Sequence, residues 1–345
     1  MGNEDDIRRL FAMADLITPM VIRSAASLRL ADHVDSGIDT VAALAEATGC
    51  KRQPLSKVVD HLHAIGLLHL DTTGRIENSG MGSLLLSAYD SGRIRSFFDP
   101  AEVAGRAEMS ITALLHTLRT GRPAYEGLYG NSLWDDTDGR ADADQGLDRL
   151  APAEPEFDAD VVVNGYDWSG RRHVVDVGGH NGAMLAAILK THSHLTGTLL
   201  DLGKFSELGT TTMRRHGVQD RASIVAGSFF DPLPTGGDVY LLSAIMADWG
   251  DEDAIRILSR CADAAGPEGR VVLAEVHMTT HLHLDPPLRT AMDVRLAASM
   301  PEPDRTVDDL CVLADKAGLD VVWRGPGTML RSLVELRPRT AAGAP

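Results

Sequence analysis

The run His173-Val174-Val175-Asp176-Val177 ends in Gly178-Gly179-His180-Asn181-Gly182 and passes directly into Ala183-Met184-Leu185-Ala186-Ala187-Ile188-Leu189-Lys190. β-Branched residues, then glycines, then an apolar helical pattern read as strand, tight turn and helix, the opening unit of a doubly wound α/β domain. Glycine lets backbone approach a ligand closely, and the start of the helix offers unpaired N–H donors there.

The spacing narrows the ligand. His180 stands where G-x-G-x-x-G needs its second glycine, which disfavours a dinucleotide site, and no Gly-Lys-Ser/Thr follows to make a Walker A loop. What remains is Asp176-x-Gly178-x-x-x-Gly182, followed by Thr198-Leu199-Leu200-Asp201-Leu202. Asp201 is placed to accept from ribose hydroxyls. This pattern resembles the S-adenosylmethionine site of a class I methyltransferase. The segments 227–234 (GSFFDPLP), 238–243 (DVYLLS), Asp248-Trp249 and 267–275 (PEGRVVLAE) add order and spacing. With them, nearly the whole chain resembles the small-molecule O-methyltransferases that include plant phenolic and bacterial antibiotic-pathway enzymes.

The resemblance implies an α/β fold: a Rossmann-like methyltransferase sheet with an N-terminal helical, winged-helix-like dimerisation domain. It implies three regions, a dimerisation domain over 1–100, a helical linker and pocket roof over 101–170, and the cofactor domain over 171–345. It also implies a homodimer, S-adenosyl-L-methionine as cofactor, and a small, aromatic or heteroaromatic substrate of antibiotic or alkaloid-type metabolism. Carried over residue by residue, Gly178, Gly179 and Gly182 line the methionine and ribose part, and Asp201 with Leu202 holds the ribose. Ser228 and Phe229 flank the adenine, Ser243 lies near the sulfur, and Asp176 orders the glycine turn or reaches the amino group through water. Phe229 and Phe230 also suit plain core packing.

One departure bears on the chemistry. Members that methylate phenols usually carry His-Asp-Trp after the fourth strand, the histidine being the general base. Here Ala247 precedes Asp248-Trp249. A positioned base contributes about 10²–10⁴ in rate, and alanine supplies none. The catalytic candidates left are Asp248, Glu275 and Asp304, the last standing where a glutamate is more usual. Three explanations stay open. The acceptor is an already nucleophilic carbon or nitrogen, such as an indole or amine, or it is a hydroxyl methylated by proximity or with a displaced base. Or the scaffold performs another reaction, a hydroxylation or cyclisation. Carbon or nitrogen stands slightly ahead of oxygen. His277, His281 or His283, or His116 from the helical roof, could serve as the displaced base. The spacing of the first three, with Asp285, matches no common zinc pattern, so no metal is expected.

Composition sets outer bounds. The 345 residues are 44% apolar, enough for two domains or one large core. A formal charge of −16 argues against nucleic acid, which is bound through clustered Lys and Arg. The start, Met-Gly-Asn-Glu-Asp-Asp, carries no signal-peptide pattern, and no apolar run of membrane-spanning length is expected. Cys50, Cys261 and Cys311 are odd in number and widely spaced, which suits reduced thiols and a cytoplasmic protein.

Along the chain, Ile7, Leu10, Phe11, Ala14, Ile17, Val21, Ala25 and Leu28 predict a helix within 5–36 whose apolar stripe serves as core or subunit interface. Thr40 should cap a helix over 41–48 that Gly49 stops, a second helix runs over 51–65, and 67–76 reads as a hairpin. Helices followed by a wing also describe a DNA reader, but Asp60 and acidic flanks interrupt the basic residues. Residues 101–150 read as helical with a break at 121–123, the acidic part from 135 onward being a loop or weak helix. Strands are expected near 198–202, 222–226, 238–243, 271–276 and 320–323, alternating with helices near 183–191, 205–216, 252–265 and 305–317. The last strands, around 320–323 and 329–336, should form an antiparallel pair at the sheet edge, as the resemblance implies.

Overall fold

A computed structural model describes residues 2–133, 136, 158–277, 286–301, 305–328 and 330–339. These form two compact units, residues 1–112 with 128–150 and residues 113–127 with 151–345.

The first unit begins with α1 (Gly2–Met13), α2 (Ile17–Ser27) and α3 (Leu30–Asp35). The expected continuous helix is thus three. Asp15 turns its carboxylate onto the Ile17 N–H at the first break, and Arg29 adopts φ +50° at the second. Thr40 Oγ1 accepts the Ala43 N–H to start α4 (Val41–Thr48), and Gly49 ends it at φ +69°. After α5 (Arg52–Ala64) come β1 (Leu68–Leu70) and β2 (Ile76–Asn78), an antiparallel pair. This is the helix-then-wing order expected from the sequence. Leu30, Leu44, Val59, Leu62 and Ile76 fill its core. Two further helices, α6 (Arg93–Phe98) and α7 (Val103–Met109), pack on each other.

The N-terminal helices correct one expectation. Residues Glu4–Ser27 are long and apolar enough, by length and composition alone, to cross a membrane, and only 11% of the most apolar stretch is buried. The apolar residues are interrupted by Asp15, Pro19 and Arg23 and form no unbroken run. Ile7, Leu10, Phe11, Met13, Leu16 and Ile17 all face outward.

The second unit takes in α8 (Leu114–Thr120) and the start of α9 (Ala124–Tyr129), up to Gly127, then α10 (Asp160–Gly165). Its sheet holds β3 (His173–Val177), β4 (Thr196–Asp201), β5 (Ala222–Ala226), β6 (Val239–Ser243), β7 (Arg270–Val276), β8 (Leu319–Arg324) and β9 (Arg331–Pro338) in the order β5-β4-β3-β6-β7-β9-β8. The first five run parallel, and β9 is antiparallel to both β7 and β8. Connecting helices are α11 (Ala183–Thr191), α12 (Ser206–Arg215), α13 (Asp251–Ala265), α14 (Pro286–Ser299) and α15 (Val307–Lys316). Parallel strands joined by helices must be covered on both faces, and two apolar clusters do this. One gathers Val174, Leu185, Leu199 and Leu241, the other Val175, Leu242, Ile257 and Leu310. Strand order reverses between β3 and β6, so the crevice for a ligand lies beyond their carboxyl ends.

Candidate cofactor and acceptor site

The β3–α11 turn is built for close approach. Gly178 and Gly182 sit at φ +74° and +73°, where side chains are disfavoured. A Cβ on Gly178 would stand 2.8 Å from Ile245 Cδ1, and one on Gly182 would stand 2.6 Å from Met213 Cε. One on Gly179 would strike Asp176 Oδ2. The Gly178 N–H bonds Leu200 C=O at 2.9 Å, tying the turn to β4, and Asn181 Oδ1 accepts the Ala183 N–H at 3.0 Å to start α11.

Beneath this turn lies Asp176, fully buried, with both carboxylate oxygens lacking a hydrogen-bond partner. Burial, reinforced by the nearby Asp201, pushes its carboxyl up to about 7. An orphaned carboxylate under a glycine cradle is the arrangement a cationic ligand would complete. Asp201 ends β4 and accepts the His180 N–H through Oδ2 and the Leu202 N–H through Oδ1, both at 2.7 Å. Burial raises its pKa as well. Each oxygen keeps a further lone pair for a hydroxyl. The cradle therefore fits an adenosyl sulfonium amino acid: glycine backbone, a diol acceptor and an uncompensated acid.

Ser228 receives the Phe230 N–H on its Oγ at 3.2 Å. Phe229 packs edge-on against Phe230 and Trp249, with centroids 5.1 and 5.5 Å away. Phe229 thus takes part in a core cluster and also approaches Gly178, within 3.0 Å of the position a Cβ there would occupy. Both readings of this residue apply.

Ser243, at the end of β6, accepts from Arg331 Nη1 at 2.8 Å, and the same nitrogen reaches Ala274 C=O at 2.9 Å. Burial lowers the Arg331 pKa to about 10. Then follows Ala244 at φ +58°, an uncommon conformation for a non-glycine residue. Glu275, 1% exposed, accepts the Met246 N–H on Oε2 at 2.8 Å and the Val276 N–H on Oε1 at 3.1 Å. Burial still raises its pKa. Arg305 donates to the Met246 and Trp249 carbonyls and pairs with Asp251 at 2.7 Å. Two buried arginines and a buried glutamate thus hold 243–251 in place. Within it, Ala247 is buried, and Asp248 has its pKa pushed well above the usual carboxylate range by burial and by Glu275.

Asp304, His281, His283 and Asp285 lie outside the described residues. His277 follows β7 with Nε2 2.8 Å from Ser332 Oγ, and His116 packs against Gly127. Among the described residues no three His, Cys, Asp or Glu side chains converge as a metal site. Sequence reasoning missed Arg305 and Arg331. Their partners are mainly backbone carbonyls contributed by segments distant in sequence, for which no spacing rule exists.

A family model for the O-methyltransferase domain matches residues 112–320. The chain is 38% identical over 327 residues to 2,7-dihydroxy-5-methyl-1-naphthoate 7-O-methyltransferase of Streptomyces carzinostaticus, covering 95% of this chain and 96% of that one. It is equally identical, over 309 residues and 89% and 82% of the two chains, to aclacinomycin 10-hydroxylase of Streptomyces purpurascens. Other relatives are named as O- and as N-methyltransferases. Among solved structures, an O-methyltransferase from neocarzinostatin biosynthesis, in complex with S-adenosylmethionine and 2-hydroxy-5-methyl naphthoic acid, superposes with a TM-score of 0.78. It is 37% identical, over 96% of this chain and 98% of that one.

Proposed function

The chain belongs to the O-methyltransferase family, and from that footing we propose that it methylates a small aromatic metabolite by alignment and desolvation, without a histidine base. It is an S-adenosylmethionine-dependent methyltransferase whose relatives serve antibiotic and other specialised metabolism. The observation that carries the proposal is Ala247, buried where phenol-methylating members usually place the base.

When bound, the cofactor supplies a methyl group already activated on a sulfonium sulfur. The chain's residues then divide the remaining tasks. Gly178, Gly179 and Gly182 admit the methionine and ribose part, with Asp176 as the acid facing its ammonium. Asp201 with Leu202 holds the ribose, while Ser228 and Phe229 flank the adenine. Ser243, fixed by Arg331, marks the transfer end. Glu275 sets the backbone that walls the acceptor, Asp304 is the second supporting acid that the family resemblance implies, and Asp248, its pKa raised by burial and by Glu275, takes up the released proton. Alignment of this kind supplies several kcal/mol toward a barrier.

The fitting acceptor atom is one nucleophilic before transfer: an amine or ring nitrogen, an electron-rich ring carbon, or a hydroxyl acidified by a neighbouring carbonyl or carboxylate. The preference for carbon or nitrogen over oxygen gains nothing from the relatives, most of whose names specify oxygen. The test is transfer of labelled methyl to a panel of aromatic hydroxyacids and amines, with NMR of the methylated atom, for the wild type and Ala247→His. We expect methylation by the wild type and no more than about a threefold gain from the histidine. A gain of a hundredfold or more on a phenol would defeat the proposal. The hydroxylase among the relatives at 38% identity motivates one alternative, a non-methylating reaction. Cofactor binding without any labelled product across the panel would favour it.

We also propose a homodimer in the reducing cytoplasm, with residues 1–100 as its dimerisation domain, 101–170 as linker and roof, and 171–345 as the cofactor domain. A second copy is the occupant proposed for the outward apolar face of α1 and α2. Three unpaired cysteines support the compartment.

A further inference from the structure

His180 has no part in the assignments above, and its surroundings point to one. It occupies the β3–α11 turn at φ +51°, a conformation for which glycine would be the undemanding choice. The backbone N–H is donated to Asp201 Oδ2 at 2.7 Å. The imidazole lies against Phe205, with ring centroids 4.4 Å apart and planes at 58°. On the same phenyl ring sits the Lys204 ammonium, 4.7 Å from the centroid. The imidazole is also near enough to Asp201 for a positive charge on it to favour the ionised carboxylate. A donor-bearing ring is therefore held by an aromatic neighbour beside the carboxylate at the β4 end.

A vicinal diol bound here has two requirements. Its hydroxyl hydrogens need acceptors, which the Asp201 oxygens provide. Its oxygens need a donor, which an ionised carboxylate lacks entirely. The imidazole N–H is the group placed to fill that need. We propose that His180 is a ribose-recognising residue, donating to a hydroxyl oxygen of the cofactor's ribose while Asp201 accepts from the same diol. The inference rests on the cofactor reading of the glycine turn and deepens it.

The experiment is calorimetric titration of S-adenosylhomocysteine and of its 2′-deoxy and 3′-deoxy analogues into wild type, His180→Gly and His180→Phe, with thermal unfolding alongside. Glycine suits the backbone, so this variant should keep the melting temperature; phenylalanine preserves the contact with Phe205 but has no N–H. Both variants should bind S-adenosylhomocysteine at least fivefold more weakly than wild type. For one of the deoxy analogues the three proteins should bind alike, because the hydroxyl that His180 serves is gone. Unchanged affinity in His180→Gly, or a loss equal for all three ligands, overturns the proposal while leaving the cofactor reading intact. Failure of the wild type to bind S-adenosylhomocysteine overturns both.

Discussion

Glu275 Oε2 accepts the backbone N–H of Met246 at 2.8 Å, joining the end of β7 to the segment that leaves β6. The acid acts as a structural acceptor, and its second oxygen is taken by Val276. Glu275→Ala would leave two buried donors unsatisfied, a cost of about 2–4 kcal/mol. Glu275→Gln keeps one acceptor and loses the charge beside Arg331. The expected outcome for the glutamine variant is acceptor kcat/KM lowered about 10- to 100-fold, with affinity for S-adenosylhomocysteine within twofold of wild type. Steady-state kinetics and calorimetry check this, and a large loss of cofactor affinity would contradict it.

The Asp176 carboxyl should make stability fall with pH. Its pKa is raised by burial to about 7, so the folded state holds a proton that the unfolded chain, with an ordinary aspartate near 4, has released. That contribution is fully present below pH 4 and is lost as pH rises through 7. Asp176→Asn should therefore stabilise the ligand-free protein at pH 8 by on the order of 2–4 kcal/mol, and much less at pH 4. Denaturant melts at the two values decide it.

Cofactor binding should reverse that trend, because an ammonium near Asp176 favours the ionised form. Affinity for S-adenosylhomocysteine should rise about tenfold from pH 6 to 8 and release a proton. Titrations in buffers of different ionisation heat measure the release. In Asp176→Asn the pH dependence should flatten, and a wild type whose affinity ignores pH would refute the assignment.

Asp201→Ala removes both the acceptor for a ribose and the carboxylate that holds the His180 and Leu202 N–H groups. Cofactor affinity should drop at least a hundredfold, about 2.7 kcal/mol. Gly182→Val should also abolish binding, since its side chain would collide with Met213 and Leu199 at φ +73°. Folded variants that bind normally would remove the site from this turn.

For the dimer, truncation near residue 40 is a poor test, because Ala25, Leu30, Ala31 and Val34 belong to the core of the first unit. Leu10→Glu with Phe11→Glu alters only the exposed face. Wild type should sediment as a dimer of the 37.0 kDa chain and the double variant as a monomer. A monomeric wild type at micromolar concentration would disprove the interface.

What was legible in the sequence follows from how locally each feature is encoded. Thr40 and Gly49 delimit α4 through contacts within one turn, and α11 has the expected bounds 183–191. The same locality made the Asp176-to-Gly182 turn readable. The break near Asp15 and the left-handed Arg29 escaped, because an apolar stripe keeps its period across short interruptions. The expected edge pairing of the last two strands is present, yet β9 lies inside the sheet and β8 takes the edge. Hydrophobic pattern alone does not order antiparallel neighbours. Arg305 and Arg331 bond atoms 54 to 88 positions away, a separation no local pattern records.

The placement of β9 governs how this chain can be assembled. Residues 331–338 fill the slot between β7 and β8, hydrogen-bonding both. While the ribosome is still making residues before 331, the outer edge of β7 therefore has no neighbour, and β8 has nothing to pair with. Five parallel strands can gather earlier, but Arg331, which fixes Ser243, arrives with the strand that closes the sheet. Closure of the β7 edge and fixing of Ser243 thus coincide in one event. A nascent chain passes through synthesis with an open strand edge that residues 331–338 come to cover.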